Sequence, residues 1–474
     1  MDERSFPNAK SRGALLIAYK AFADLAGKGA LFLITIAAAR RLSPESFGIF
    51  SLGSTLGWIA AVVADCGIQL HLARAVARRP ADAARLLRAW LPVRLWTAAG
   101  AIALVAIGLA AGWRAAAAAP MAILALVYAC SGLVEFLHYF YRGLSRSDVE
   151  SSLTLWQRGG TLACGFAALA WKPDVALLAI AMLIPVAVTL AASLRIAARL
   201  ADGRPEGLHY DYADGSVGNH AGSADLPPSM KRRRAAAPAE AGQVCSDPDI
   251  QVCPDPSAGE SDLPVSAWTV FRRDVWPIGA GIVLSALYFR IDLFLVQLWS
   301  GTEAVASYNA VFRLVEALRL FPAAVLAVML PSLVRSGDLR PLARIAGAVT
   351  GFALAAAGVL WVAAGRLIPF LYGPRYSGAV PAFRVLLLSF PLLSLNYALT
   401  HQLVAWHGQR AYARLCALAL GVNVAVNARL IPLWSIEGAA WATLATEIVL
   451  TAGCAVALAS MRAPAPAPQL VTEA

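Results

Sequence analysis

Apolar segments of membrane length dominate this 474-residue sequence and leave few folds open to it. A helix that crosses the hydrocarbon core of a bilayer needs about 20 predominantly apolar residues. Two tracts of six such segments, over about residues 14–199 and 268–460, flank one polar stretch. Hydrophobic residues make up 59% of the chain and charged residues 15%, unlike a soluble domain. The sequence therefore predicts an all-α membrane protein of about twelve transmembrane helices in two six-helix bundles.

The polar stretch divides the chain into three predicted parts. An N-terminal six-helix bundle covers 1–199, a linker covers 200–266 and a C-terminal six-helix bundle covers 267–474. The linker is rich in Pro, Gly, Ser and Asp and nearly free of apolar periodicity, so it is predicted to be disordered. The twelve spans are predicted at 14–39, 47–66, 89–112, 117–141, 150–171, 174–196, 275–299, 304–331, 342–369, 379–406, 411–431 and 438–460.

The chain has a net charge of +11, and its basic residues are distributed as the predicted topology requires. Arg and Lys cluster in alternate loops, including the stretch from Arg74 to Arg88, and the opposite loops hold few. Under the positive-inside rule this asymmetry puts the N-terminus, the C-terminus and the linker in the cytoplasm. Charge distributed in this way is not typical of a nucleic-acid-binding surface, and no nucleic-acid partner is expected.

Cysteine usage implies neither a disulfide framework nor a metal site. Five of the seven cysteines lie in or at the ends of apolar segments, where small buried hydrophobic side chains are expected. Cys245 and Cys253 lie in the linker, without a second pair or a histidine at the spacing of zinc ligands. We expect no cofactor, no metal and no catalytic residue.

The two tracts resemble each other, which predicts an internal repeat. When residues 43–51 are laid on 301–309 at an offset of 258, Glu45 meets Glu303, Gly48 meets Ala306 and Phe50 meets Tyr308. A second echo relates residues 144–146 to 408–410, at the equivalent place in a six-plus-six plan. Transporters with internal repeats are built around a site at the bilayer midplane.

Ionisable residues within the apolar segments point to such a site. Lys20, Asp24 and Lys28 share one helical face at spacings of four, and Arg313, Glu316 and Arg319 repeat the pattern at spacings of three. Charges that face lipid cost several kcal/mol each, so these faces should line protein or water. Further intramembrane charges are Arg94, Glu135 and Arg158 in the first tract and Arg290, Asp292 and Glu447 in the second.

A series of short motifs runs nearly the length of the chain: Arg41 to Phe50, Ala64 to Leu70, Arg290 to Asp292, Ala306 to Ala310, Leu330-Pro331, Leu371 to Pro374 and Ile436 to Ala442. In the order and spacing of these motifs the sequence resembles a known family, the polysaccharide or O-antigen repeat-unit flippases of the multidrug, oligosaccharidyl-lipid and polysaccharide exporter superfamily. The resemblance implies that undecaprenyl-diphosphate-linked oligosaccharide is moved across the bacterial inner membrane by alternating access. It implies a role in making O-antigen, capsule or exopolysaccharide, with membrane lipids and other polysaccharide-assembly membrane proteins as partners.

A cationic cavity suits a diphosphate, because Arg and Lys replace phosphate hydration with charge-assisted hydrogen bonds. The candidate diphosphate ligands are Lys20, Lys28, Arg94, Arg158, Arg290, Arg313 and Arg319. The candidates for coupling or ion pairing are Asp24, Glu135, Asp292 and Glu316.

Some of these assignments have alternatives. Arg94 could instead extend to the headgroups. Arg290 and Asp292 point about 200° apart on a helix, so at most one faces the cavity squarely. Glu135 and His138 fit a proton relay or an interhelical hydrogen-bond cluster.

Other functions remain open at this stage. A multidrug exporter of the same superfamily would favour an acidic cavity, whereas the first tract carries four basic against two acidic intramembrane residues. A membrane-embedded polysaccharide polymerase or ligase would need a long periplasmic loop with catalytic residues, and the long loop here is cytoplasmic by charge. The lipid II flippase branch typically has two further spans. We expect a transporter and not an enzyme.

Overall fold

Helices make up all the regular secondary structure in the described part of the chain. The computed structural model describes residues 9–202, 275–325, 340–406 and 408–461, with side chains for all of these except 9–18, 21, 201, 202, 277, 278 and 341. The helices are α1 (Ala9–Arg41), α2 (Pro44–Asp65), α3 (Ile68–Arg78), α4 (Ala83–Gly112), α5 (Ala115–Gly143), α6 (Ser147–Trp171), α7 (Val175–Asp202), α8 (Trp276–Ser300), α9 (Thr302–Leu318), α10 (Arg340–Tyr372), α11 (Val380–Ala405) and α12 (Gln409–Ser460). The predicted linker lies outside the described residues from residue 203 onwards.

Nine of the described helices are long and apolar enough to cross a membrane. One of the nine is α12, whose 52 residues would form a straight helix of about 78 Å, more than twice the thickness of the hydrocarbon core. Its backbone breaks at Ser435, where φ is 48°, so α12 makes two spans. With α6 and α9, which carry charged residues and are not among the nine, the count is about twelve. The predicted fold class is confirmed.

The start of α2 follows from its sequence. Ser43 caps the helix by accepting a hydrogen bond at its Oγ from the backbone N–H of Ser46, at 3.1 Å. Pro44 follows at the first helical position, where its fixed φ suits the helix and its missing N–H costs nothing. This turn lets α1 and α2 run as consecutive spans with a very short connection.

A short amphipathic helix, α3, stands where the sequence predicted only a basic loop. Ile68, Leu72 and Val76, at spacings of four, are buried on one face of α3, and Arg74 and Arg78 are exposed on the other. Eleven residues are too few for a membrane span, so α3 belongs to the predicted connection between spans, and its apolar face packs on α4 and α5.

The two halves of the chain meet along α2 and α9, the helices that the repeat makes equivalent. Gly48 of α2 packs so closely on the backbone of Thr302 that a Cβ at Gly48 would collide with it. One turn further along, Asn309 Nδ2 donates a hydrogen bond to Ser51 Oγ at 2.8 Å. These two residues are 258 positions apart, the offset of the predicted repeat. Equivalent positions that touch each other lie on the axis that relates two copies, so α2 and α9 flank that axis.

The bundle has two ends that serve as reference points below. The proximal end is the one at which α1 begins, near Ile68 and Arg142. The distal end is the one at which α1 finishes, near Leu42 and Pro374. A hydrophobic core of side chains from both halves, including Phe47, fills the distal part of the bundle.

Candidate functional site

A cavity of about 360 Å³ lies between the two halves, midway along the helices. The first half lines it with α1, α2, α5 and α7, and the second half lines it with α9, the residues that follow α9, and α11. Its charged lining consists of Lys28 from the first half and Arg313, Glu316 and Arg319 from the second. Of the three charged residues that share a face of α1, only Lys28 lines this cavity. All three of the charged residues Arg313, Glu316 and Arg319 line it.

The basic side chains of the cavity differ in how they are held. Lys28 is exposed and makes no ion pair with any residue that the structure describes. Arg319 stacks its guanidinium over the ring of Phe289, 4.3 Å from the ring centroid. Arg313 Nη1 donates to Glu316 Oε2 at 2.7 Å. Two of the three cations thus keep their hydrogen-bonding capacity available to a ligand.

Behind the cavity wall, Arg290 joins the pair formed by Arg313 and Glu316. Arg290 Nη2 donates to Glu316 Oε2 at 2.7 Å, and its guanidinium lies over the rings of Phe289 and Phe312. The Arg290 side chain is buried and is not part of the cavity lining. It contacts the cavity lining through its hydrogen bond to Glu316.

Asp292 points into the second half of the protein and away from the cavity. Tyr308 donates a hydrogen bond from its hydroxyl to Asp292 Oδ2, and the Tyr308 hydroxyl also lies 3.3 Å from Thr443 Oγ1. A second, much smaller cavity of about 10 Å³ separates Asp292 from Glu447. Glu447 is buried and accepts a hydrogen bond from Asn396 Nδ2 at 2.7 Å.

Lys20 is bound within the first half. Its Nζ lies 2.7 Å from Glu150 Oε1, and Glu150 is also hydrogen-bonded by Arg142 Nε at 3.0 Å. Arg142 reaches on to Glu135, which in turn lies 3.7 Å from His138 Nδ1. These residues form a proximal network of alternating charge that joins α1, α5 and α6. Lys20 does not line the central cavity.

The remaining predicted residues also lie apart from the cavity lining. Arg94 is only 1% exposed, and its Nε lies 3.8 Å from Asp65 Oδ1, so it does not extend to the headgroups. Arg158 packs its side chain along α1, where a Cβ at Gly27 would lie 3.1 Å from Arg158 Cγ. Asp24 is exposed and forms no ion pair with a described residue.

Several residues of the cavity lining and of the ion pairs were not among the site residues predicted from the sequence. Glu150 and Arg142 lie at predicted span ends, where charged residues are common. Tyr128 and Ser54 line the cavity but carry no charge, and Ser54 Oγ has no hydrogen-bond partner among the described residues. Asp65 ends α2 inside the motif from Ala64 to Leu70, which contributes to the family resemblance.

Hydrogen bonds join the two halves at the distal end of the bundle. Arg375 donates from Nη2 to the carbonyl oxygen of Leu42 at 2.7 Å and to that of Ala39, so it caps the end of α1. In the opposite direction, Arg40 Nη2 donates to the carbonyl oxygen of Phe370 near the end of α10, at 2.8 Å. We call these reciprocal contacts the distal latch. Cations are favoured at helix C-termini, where carbonyl groups lack partners.

The chain is a multi-pass membrane protein with two repeated helical halves around a charged central cavity. The family described as polysaccharide biosynthesis protein matches residues 17–206. The fold is similar to that of the lipid II flippase MurJ in an inward closed conformation, with a TM-score of 0.64 and 10% identity, covering 94% of this chain and 88% of that one. No curated protein matches the sequence.

Multidrug transporters share the same fold. An inward-facing multidrug resistance MATE family transporter of the MOP superfamily aligns with a TM-score of 0.62 and 13% identity, over 93% of this chain and 94% of that one. An outward-facing structure aligns with a TM-score of 0.57 and 14% identity, over 94% of each chain. The predicted resemblance is confirmed in the shared fold and in the match to the polysaccharide biosynthesis family over residues 17–206.

Proposed function

We propose that the protein is a flippase for oligosaccharides linked through a diphosphate to a polyprenyl carrier such as undecaprenol. The convergence of Lys28, Arg313 and Arg319 on one cavity between the halves carries this proposal. A diphosphate entering the membrane loses hydration, and several Lys and Arg side chains replace it with charge-assisted hydrogen bonds. Glu316 is the one acidic residue among the described residues of the lining, so the cavity is net basic.

The uncharged lining suits the sugar that follows the diphosphate. Tyr128 and Tyr397 offer aromatic faces, and Thr35 and Ser54 offer hydroxyl groups. A volume of about 360 Å³ is at the small end of the range for ligand sites, about 300–1,000 Å³. It accommodates the diphosphate and the first sugar, and a longer repeat unit requires the halves to separate.

Alternating access would occur by rocking of the bundles at 1–199 and 267–474, joined by the linker at 200–266. In our proposal the proximal end faces the cytoplasm of the bacterial inner membrane, and the distal latch opens to release substrate to the periplasm. Asp24, Glu135, Asp292 and Glu316 stay candidates for coupling this motion to an ion. The product would serve O-antigen, capsule or exopolysaccharide assembly.

Export of organic cations is the second candidate function. The observation in its favour is the pair of buried carboxylic acids, Asp292 and Glu447, at the smaller cavity. A cavity of about 10 Å³ has room for one water molecule and not for a drug. The basic lining of the larger cavity would repel organic cations, so this function is the less well supported of the two.

The test is to neutralise the cavity cations one at a time. K28Q, R313Q and R319Q should each cause lipid-linked repeat units to accumulate on the cytoplasmic leaflet at matched protein levels. K172Q and R114Q are matched controls, because Lys172 and Arg114 are exposed near the distal end and outside the cavity. Normal export by all three cavity variants would refute the proposed diphosphate site.

The proposed orientation has its own test. Reporters fused near Ser223 and at the C-terminus should both report a cytoplasmic location, as the charge asymmetry of the loops predicts. A periplasmic signal from either fusion contradicts the orientation.

A further inference from the structure

Two arginines share a single carboxylate oxygen at the edge of the central cavity. Arg290 Nη2 and Arg313 Nη1 each lie 2.7 Å from Glu316 Oε2. They lie on different helices. Arg290 belongs to α8, and Arg313 belongs to α9, one turn before Glu316 on the same helix. A carboxylate oxygen that accepts two guanidinium groups occupies the position that a phosphate oxygen would take between the same groups.

The two arginines are not equally free to leave Glu316. The Arg290 side chain is 5% exposed and is enclosed by the rings of Phe289 and Phe312. The Arg313 side chain is 24% exposed on the cavity wall, and its Nε has no hydrogen-bond partner among the described residues. Arg313 can therefore turn towards a ligand in the cavity, whereas Arg290 is fixed.

Glu316 is itself within reach of a ligand in the cavity. Its side chain is 33% exposed and contributes to the cavity lining. Because Arg290 remains bound to it, the carboxylate keeps a charged partner when Arg313 leaves. No buried charge is left without a partner during the exchange, which is the arrangement that would be costly.

We propose that Glu316 is an internal substitute for the substrate's diphosphate and sets the selectivity of the cavity for diphosphates. Without substrate, Arg313 is hydrogen-bonded to Glu316. When substrate binds, a phosphate oxygen takes the place of the Glu316 carboxylate at Arg313, and Arg290 stays bound to Glu316. This inference rests on the proposed function and adds the residue that decides which anions are accepted.

Selectivity for diphosphates follows from the competition between Glu316 and the ligand's phosphate for Arg313. A monophosphate must break the contact between Arg313 and Glu316 and regains about one equivalent contact. A diphosphate carries further charge and a second phosphoryl group that reaches Lys28 or Arg319 at the same time. Anionic membrane lipids with one phosphodiester would thus be excluded by an affinity difference, and the wide excess of such lipids in the bilayer makes that exclusion necessary.

The experiment compares two probes on the full-length protein in detergent, farnesyl diphosphate and farnesyl monophosphate. In E316Q the monophosphate should bind about tenfold more tightly or better, the scale of one charge-assisted hydrogen bond, and the preference for diphosphate should fall. E303Q is the matched control, because Glu303 lies on the same helix at its distal end, outside the cavity. Export by E316Q should slow although binding tightens, because the product leaves Arg313 less readily.

A double-mutant cycle separates this exchange from a structural role. The gain in affinity from E316Q should vanish in the R313Q background, because the gain acts through Arg313. If E316Q fails to fold because Arg290 is left without a partner, the variant E316Q/R290M removes both charges and should show the same gain.

The outcomes are distinguishable. If the wild-type protein binds neither probe, the proposed diphosphate site fails, and this inference fails with it. If the wild type binds diphosphate but E316Q or E316Q/R290M binds monophosphate no more tightly than the wild type does, the diphosphate site stands and Glu316 is a structural anchor for the two arginines.

Discussion

Asn309 Nδ2 donates a hydrogen bond to Ser51 Oγ at 2.8 Å, and the two residues occupy the same position in the two halves of the repeat. Ser51 Oγ at the same time donates to the carbonyl oxygen of Phe47 at 2.7 Å. Both side chains are buried. The contact between the halves at their axis is therefore a directional hydrogen bond, which holds one register between α2 and α9.

N309A should destabilise the protein, because it removes the donor to a buried hydroxyl. The expected loss is about 1–3 kcal/mol in the free energy of unfolding, measured as thermal or denaturant unfolding in detergent. S51A should have little further effect in the N309A background, since the shared hydrogen bond is already gone. Additive losses from the two substitutions would show that the residues act independently.

The lysines of α1 offer a matched pair for separating ion pairing from substrate binding. K28Q should reduce export strongly and leave the melting temperature unchanged, because Lys28 lines the cavity and has no ion pair among the described residues. K20Q should leave export near the wild-type level and lower stability by about 0–1 kcal/mol, because Glu150 keeps Arg142. Export measured at matched protein levels decides between them. The idea is wrong if K20Q blocks export as fully as K28Q.

The distal latch should control access to the cavity from the distal side. R375Q removes charged hydrogen bonds to the carbonyl oxygens of Ala39 and Leu42, so the open state should gain population. In a background without native cysteines, a cysteine at Thr35 on the cavity wall should react about tenfold faster with an impermeant maleimide added outside. R366Q, exposed on α10 near the distal end, is the control. Equal rates in both variants would mean that other contacts close the cavity.

Arg94 and Asp65 should prove structural. Both are buried and lie 3.8 Å apart, so R94M leaves a buried carboxylate without its partner and should cost about 3–5 kcal/mol in the free energy of unfolding. R94M/D65N should recover much of that loss, because both charges are removed together. Thermal unfolding of the purified variants provides the measurement. A stable R94M protein that fails to export would instead return Arg94 to the transport pathway.

The sequence was sufficient to predict the helical framework and the internal repeat. Spans are readable because backbone groups in lipid must pair within a helix and apolar side chains must cover them. The offset of 258 predicts that α2 and α9 are equivalent, and the two helices are in contact through Ser51 and Asn309. Spacing along one helix also selected Lys28, Arg313 and Arg319, the three cations that line the cavity.

The sequence does not predict which charged residues on different helices form ion pairs, because hydropathy does not reveal which helices are neighbours. Lys20 shares a face with Lys28, yet Glu150, 130 positions away in the chain, takes it into the proximal network. In the same way, Asp65 at the end of α2 meets Arg94 within α4. A shared helical face predicts which residues avoid lipid and does not predict which of them reach the cavity.

In the distal latch, every acceptor is a main-chain carbonyl. Any residue at positions 39, 42 or 370 supplies the same oxygen, so no point mutation there can delete an acceptor. Within these contacts, only substitution of Arg40 or Arg375 removes a hydrogen-bonding group. Substitution at positions 39 and 42 is limited by the buried packing of Ala39 and Leu42 and not by these hydrogen bonds, so comparing side chains alone would overlook half of each contact.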